Sequence, residues 1–348
     1  MNKLIVKLFG GTGNQLFQFF FALNFSRINK CKLYFDATSL GENDSWGRNL
    51  EINKILKHYK TLNFNNLKQN EKLIKLHENN LIHPTYLIEP TIEKGNKVFT
   101  LEGFFQNYRS IIQIRSEIQK VFFKIMKKTK ILNFKESISI HCREFHNYKK
   151  NDINQRVKTS LTKFNDNLSW SYYEKSIKKI LRKSKIKNVI LFSDNKIETK
   201  LKKKIKIFCK NKKIKVVDMN KKKLNDLEII YQMSKSKFLI ISNSTFSWWA
   251  AFLSDSKIYS PVFSLWDKRL KALDNWTQVI DEKNQTPFTI FGECDYQFNK
   301  IKKQNNNKET NIYEKIIFLI YKITPNIILQ TIINKKQTMN YLKLRNIL

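Results

Sequence analysis

Acidic residues are scarce in this chain, and the shortage is the first constraint on what it does. Against 65 Lys and Arg stand 29 Asp and Glu, a formal net charge of +36 over 348 residues. No Asp-x-Asp pair occurs anywhere, so a paired-carboxylate metal clamp has no obvious ligands. Cysteine is rarer still: Cys31, Cys142, Cys209 and Cys294 are widely separated and form no CxxC pair. That spacing disfavours both zinc ligation and a disulfide framework, and fits reduced thiols in a cytoplasmic setting. No stretch of 18 uncharged apolar residues is present, so no spanning helix is expected. The opening MNKLIVKLFGGTGNQ has too short an apolar run for a signal peptide and no small-residue cleavage site.

What is present supports a folded chain. Hydrophobic residues make up 41% and aromatic residues 13%, enough to build cores and to exclude global disorder. The length fits two ordinary domains or one large one. A charge of +36 invites a nucleic-acid reading. The basic residues are mostly Lys, spread along the chain, with few beside exposed-looking aromatics. A solvated basic surface is the better reading, with no nucleic-acid partner and attraction to anionic lipid or polyphosphate as a side effect.

The apolar pattern alternates strand and helix. LIVKLFGG reads as a buried strand, NQLFQFFFALNFSRI as a helix apolar nearly all round, and CKLYFDAT as a second strand. Residues 48–100 read as mostly helical, with IHPTYLIEP as a loop; VFTLEGFF is a strand and SIIQIRSEIQKVFFKIM one amphipathic helix. From KESISIHCRE onward the rhythm is regular. Strands at SISIH, KNVILFSDN, IKVVDM and KFLIISNS alternate with helices at LSWSYYEKSIKKILRKS, KIETKLKKKIKIF, NDLEIIYQMSKS and TFSWWAAFL, and SKIYSPV is the expected last strand. Such alternation predicts a parallel, doubly wound α/β architecture, in which ligands bind beyond the carboxyl ends of the strands. A boundary near residue 134 follows. After residue 298 comes a Lys/Asn-rich linker, then an apolar stretch broken by Lys and Pro, which reads as a docked helix pair or as an interfacial helix on anionic lipid.

Three polar clusters, at His141, Ser193–Asp194 and Ser242–Thr245, fall at predicted strand ends, and a glycine-rich turn precedes them. GGTGNQ places Gly10, Gly11, Gly13, Asn14 and Gln15 at a strand-to-helix turn, where backbone can approach a bound group and helix amides favour an anion. It lacks the Lys-Ser/Thr of a nucleotide-triphosphate loop, and Leu16 stands where a dinucleotide fingerprint has glycine. HCREFHNY puts His141 and Arg143 at a strand end, where an arginine can grip a diphosphate by two parallel hydrogen bonds or pair with a carboxylate. Ser193 and Asp194 end another strand. SNSTFSWW sets Ser242, Asn243, Ser244 and Thr245 between a buried strand and a buried helix. A cap needs one or two such residues, so the rest call for a ligand or an internal network. Phe246, Trp248 and Trp249 would wedge that helix against the sheet, as core and not as a sugar platform.

Four segments in order, GGTGNQLFQ (10–18), GFFQNY (103–108), HCREFHNY (141–148) and SNSTFSWW (242–249), resemble the α-1,2-fucosyltransferase family, glycosyltransferase family 11. The similarity covers roughly residues 4–266. It implies a GT-B fold of two Rossmann-like domains facing a cleft. The acceptor-side domain would be 1–133 and the GDP-sugar domain 134–298, with 299–348 a basic linker and helical tail. The implied reaction is inverting transfer of fucose from GDP-β-L-fucose to a galactose 2-hydroxyl on an oligosaccharide or glycolipid, without cofactor or metal. Arg143 would be the main donor-phosphate contact, supported by His141. Gly10, Gly11, Gly13, Asn14 and Gln15 would approach the donor from one lobe, and Asp194, Ser242, Asn243, Ser244, Thr245 and Phe246 from the other. The cysteine pattern, with no signal peptide or spanning helix expected, fits a cytoplasmic enzyme, with peripheral contact to anionic membrane as an alternative to the docked tail. The central block departs from the family's H-x-R-R-x-D: Glu144 replaces the second Arg and His146 the Asp, unless Asp152 takes that role. A carboxylate there weakens donor binding unless it points away or Lys149 or Lys150 compensates. His146 reads equally as a general base and as an exposed loop histidine.

Overall fold

The computed structural model describes residues 1–43, 47–62, 73–77, 92, 95–106, 108–130, 136–143, 168–193, 199–219, 223–261, 273, 275–279 and 281. Residues Met1–Gln285 form one compact unit that holds two parallel sheets.

The first sheet contains β1 (Lys3–Lys7), β2 (Lys32–Asp36), β3 (Leu73–His77) and β4 (Val98–Glu102), in the spatial order β2-β1-β4-β3. Its register sets Ile5 beside Tyr34 on one side and Thr100 on the other. Helix α1 (Thr12–Ile28) connects β1 to β2 and is buried around most of its circumference. It packs on its own sheet and also on a helix of the second sheet, so it has almost no solvent face to make polar. Short helices α2 (Asn53–Leu56) and α3 (Arg109–Ile112) and the amphipathic α4 (Arg115–Met126) complete this half.

The second sheet contains β5 (Ser137–Cys142), β6 (Asn188–Ser193), β7 (Lys215–Asp218), β8 (Phe238–Ile240), β9 (Lys257–Pro261) and β10 (Thr277–Val279), ordered β10-β9-β8-β5-β6-β7 and parallel. Helices α5 (Trp170–Leu181) and α6 (Lys200–Asn211) bury one face of it, with Ile138, Ile140, Val189 and Leu191. The opposite face, with Ile190, Phe192, Leu239 and Ile241, packs under α7 (Asp226–Ser234) and α8 (Thr245–Leu253) and joins the core of the first sheet. The parallel α/β class expected from the sequence is what the chain adopts, as two sheets within one compact unit.

Three local expectations are corrected. Leu73–His77 lies in a region read as mostly helical, yet it forms an edge strand. Its pairing with β4 supplies what five residues of weak periodicity could not signal. The helix expected across SIIQIRSEIQKVFFKIM is broken at Ile114, whose φ of −101° and ψ of 14° interrupt the ladder between α3 and α4. SKIYSPV is not the last strand, because β10 pairs with β9 at the sheet edge. The IHPTYLIEP loop, the boundary segment 131–135 and the linker and tail 299–348 lie outside the described residues.

Candidate active site

The glycine turn after β1 is set by packing between the two halves of the molecule. Gly10 has φ +77°, and a Cβ there would lie 2.8 Å from the Asn14 amide. Gly11 caps α1. A Cβ on Gly13 would fall 2.5 Å from Thr245 Oγ1 and 2.7 Å from the Phe246 backbone nitrogen. The amino-terminal ends of α1 and α8 are therefore in direct contact there, and only glycine permits that approach. The buried indole of Trp249 seals the joint, its Nε1 donating to the Gly13 carbonyl at 2.9 Å. Asn14 Oδ1 accepts from Gln106 Nε2 at 2.8 Å and from Thr245 Oγ1 at 3.3 Å, tying the segment after β4, α1 and α8 together. Gln15 is fully buried and turned inward. Its Nε2 donates to the Gly10 and Asn49 carbonyls, and its Oε1 accepts from the Glu51 amide.

The end of β5 carries the second cluster. Ile138, Ile140 and Cys142 face the outer core while Ser137, Ser139 and His141 face inward, all buried. His141 Nδ1 lies 2.7 Å from Ser242 Oγ, and its ring tilts against Phe246 with centroids 5.5 Å apart. Burial, and then the positive charge of Arg143, pushes the His141 imidazole down to about 3. It is therefore neutral at physiological pH. The half-buried Arg143, two residues on, is the cation at this strand end.

The octet 242–249 resolves into a network. Ser242 Oγ lies 3.3 Å from Ser247 Oγ, which also donates to the Ser242 carbonyl at 3.2 Å. Ser244 caps α8 through the Phe246 amide at 3.3 Å, and Thr245 reaches Asn14. The Asn243 side chain is buried in the same turn. Trp248 and Trp249 are fully buried, as core.

A third helix end meets the other two. Asn225 caps α7 in a reciprocal capping box with Glu228, and Asp226 accepts a hydrogen bond from Thr12 at the start of α1. The amino-terminal ends of α1, α7 and α8 thus gather beyond the carboxyl ends of β1 and β8, with Arg143 beyond that of β5. Each end contributes partial positive charge, so the locality favours an anion. Glu51 belongs to it as well: its carboxyl is raised by burial and by the charge of Asp226.

Of the expected site residues, Gly10, Gly11, Gly13, Asn14, His141, Arg143, Ser242, Asn243, Ser244, Thr245 and Phe246 are brought to this locality. Gln15 supports the turn from behind. His146 and Asp194 lie outside the described residues, as do Glu144, Lys149, Lys150 and Asp152. Sequence reasoning missed Thr12, Glu51 and Gln106. Gln106 had a signal, as part of the quoted GFFQNY; Glu51 had none, because its partners are 36 and 175 residues away in the chain.

The chain is 25% identical over 307 residues to the O-antigen biosynthesis glycosyltransferase WbnK of Escherichia coli, covering 78% of this chain and 99% of that protein. It is 24% identical over 285 residues to an α-1,2-colitosyltransferase of Escherichia coli, covering 73% and 89%. Among solved structures it resembles POFUT1 in complex with GDP at 11% identity and a TM-score of 0.43, covering 80% of this chain and 98% of that one. The fucosyltransferase NodZ from Bradyrhizobium aligns at 12% identity and a TM-score of 0.42, covering 73% and 94%. The family model "Glycosyl transferase family 11" matches residues 49–279, a span that holds the β5 cluster and the whole SNSTFSWW octet, and the chain belongs to that family of glycosyltransferases.

Proposed function

We propose that the chain transfers L-fucose from GDP-β-L-fucose to the 2-hydroxyl of a galactose-containing glycan, with inversion and without a metal ion. The observation that carries this reading is the gathering of three helix amino termini with Arg143 beyond the strand ends, donors suited to a diphosphate beside the carboxyls of Asp226 and Glu51. In the reaction the acceptor oxygen bonds to the anomeric carbon while the bond from that carbon to the diphosphate oxygen breaks. GDP leaves with the electron pair, and the acceptor proton goes to a base, for which His146 is our candidate. Negative charge grows on the departing phosphate, and Arg143 with the helix dipoles stabilises it. His141, held neutral, contributes no charge: it positions Ser242 at the head of α8.

The α-1,2 linkage in the name of one relative supports attack by a 2-hydroxyl. The same name favours a second reading, in which another sugar replaces fucose on the donor. Incubation with GDP-fucose and galactose-terminated oligosaccharides, with the product linkage read by NMR, tests the first reading. Transfer only from other GDP-sugars selects the second. Arg143→Ala should lower turnover on the order of 10²–10³-fold with an unchanged melting temperature, and near-normal turnover removes the assigned role. Activity should persist in EDTA; its loss would overturn the metal-independent mechanism.

A further inference from the structure

Helix α6 turns a face of one charge sign to solvent. Leu201, Ile205 and Cys209 bury its inner stripe against the second sheet. On the outer stripe, at helical spacing, stand Lys200, Lys203, Lys204, Ile207 and Lys210, all exposed. The helix contains no acidic residue, and none of these four lysines is paired with a carboxylate among the described residues. Other helices carry carboxylates of their own. Glu117 on α4 pairs with Arg27, Glu174 on α5 pairs with Lys178 at 2.7 Å, and Asp226 and Glu228 open α7.

The stability of the helix does not favour this pattern. Lys200 and Lys203 stand in its first turn, where the dipole disfavours a cation, and Lys200 and Lys204 repel each other at i, i+4. Ile207 stands among the lysines 60% exposed, more than any other large apolar side chain of the described residues except the terminal Met1. Lys212 and Lys213, both exposed, extend the basic surface past the end of the helix.

We propose that the solvent face of α6 seats the protein on an anionic lipid surface. The lysine stems lie along the interface with their ammonium groups on headgroup phosphates, and Ile207 enters the boundary between headgroups and acyl chains. That apolar centre separates lipid from nucleic acid. A duplex would engage the lysines and leave Ile207 in water, and the exposed stripe has no arginine or aromatic ring to read or stack on a base. Helix α6 covers the face of the second sheet that is turned away from the first, so docking there leaves the joint at Gly13 and Thr245 uncovered.

The test is co-sedimentation of the full chain, at physiological salt, with phosphatidylcholine vesicles that contain phosphatidylglycerol and with pure phosphatidylcholine vesicles. Wild type should bind the first and not the second. Lys203→Ala with Lys204→Ala should weaken binding roughly thirtyfold, and Ile207→Ser alone roughly fivefold. Lys120→Ala with Lys124→Ala removes the same charge from the exposed side of α4 and should change binding less than about twofold. Both alanine pairs should melt no lower than wild type, because alanine suits a helix. Equal losses in the two alanine pairs overturn the proposal, since binding then follows net charge. Wild-type indifference to phosphatidylglycerol overturns it too, as does vesicle binding untouched by the α6 variants. Duplex DNA bound more tightly than the vesicles, and released by the Lys203 and Lys204 pair, reassigns the face to nucleic acid. Vesicle binding is read without sugar donor or acceptor, so its outcome stands apart from the transferase reading.

Discussion

At the scale of single residues, the site separates charge from position. His141 ends β5 and Arg143 lies just beyond it, yet only Arg143 is cationic, because the imidazole is buried beside it. That pairing has a consequence for stability. In the unfolded chain the imidazole titrates near 6.5, and in the folded chain near 3. Between those values the unfolded state binds the proton and the folded state does not, so stability falls as pH falls through that window. The slope from this residue approaches about 1.4 kcal/mol per pH unit once well below 6.5. Urea unfolding at pH 7 and pH 5 should show His141→Asn losing about 1–2 kcal/mol less than wild type over that range. Equal losses in the two proteins would place the acid sensitivity elsewhere.

At the scale of the element, α8 explains why SNSTFSWW has its composition. The helix is only nine residues long, too short to hold itself together in isolation, and both its ends are tied to the other half of the chain. Its amino-terminal end abuts Gly13 and Asn14. At its carboxyl end the Arg115 guanidinium donates to the Phe252 and Ser254 carbonyls, each at 2.7 Å, and Gln119 donates to Leu253 at 2.9 Å. Arg115→Met keeps the packing volume and removes the charged donors, so it should cost about 2–3 kcal/mol in chemical denaturation. A loss within experimental error would mean that solvent caps α8 just as well. The motif itself, its strand-to-helix placement and the buried tryptophans were legible in the sequence, because short-range apolar periodicity and polar punctuation encode them. The partners were not legible. Arg115 lies 137 residues before Phe252, and nothing local to IQIRSEIQ signals a carbonyl-capping role. Leu73–His77 was missed for a related reason, since an edge strand takes its stability from β4 and not from its own pattern. The turn hydroxyls were legible as unusual, but whether they served a ligand or one another depended on the approach of α1, a tertiary fact.

At the scale of the whole molecule, one core runs through both sheets. Leu4, Val6 and Leu8 from the first sheet and Ile190, Leu239 and Ile241 from the second belong to a single apolar cluster, with Phe17, Phe20, Trp248 and Trp249 between them. Phe17 meets both tryptophan rings, each at 4.9 Å between centroids. Polar ties run along the same joint, from Thr12 to Asp226, from Trp249 to Gly13 and from Gln232 to the Lys130 carbonyl. Separating the halves would expose those aromatic rings and strand buried hydrogen-bonding groups, so neither half has a stable folded state of its own. Unfolding should therefore be a single cooperative transition, with calorimetric and van't Hoff enthalpies in agreement. Hydrogen exchange gives the sharper measurement: the slowest amides of β1 and of β8 should open with the same free energy, and Trp249→Ala, which opens a cavity at the joint, should lower both together. Two separable transitions, or exchange lowered in β8 but not in β1, would show that the halves fold independently and that the contact at Gly13 and Thr245 is a hinge between domains.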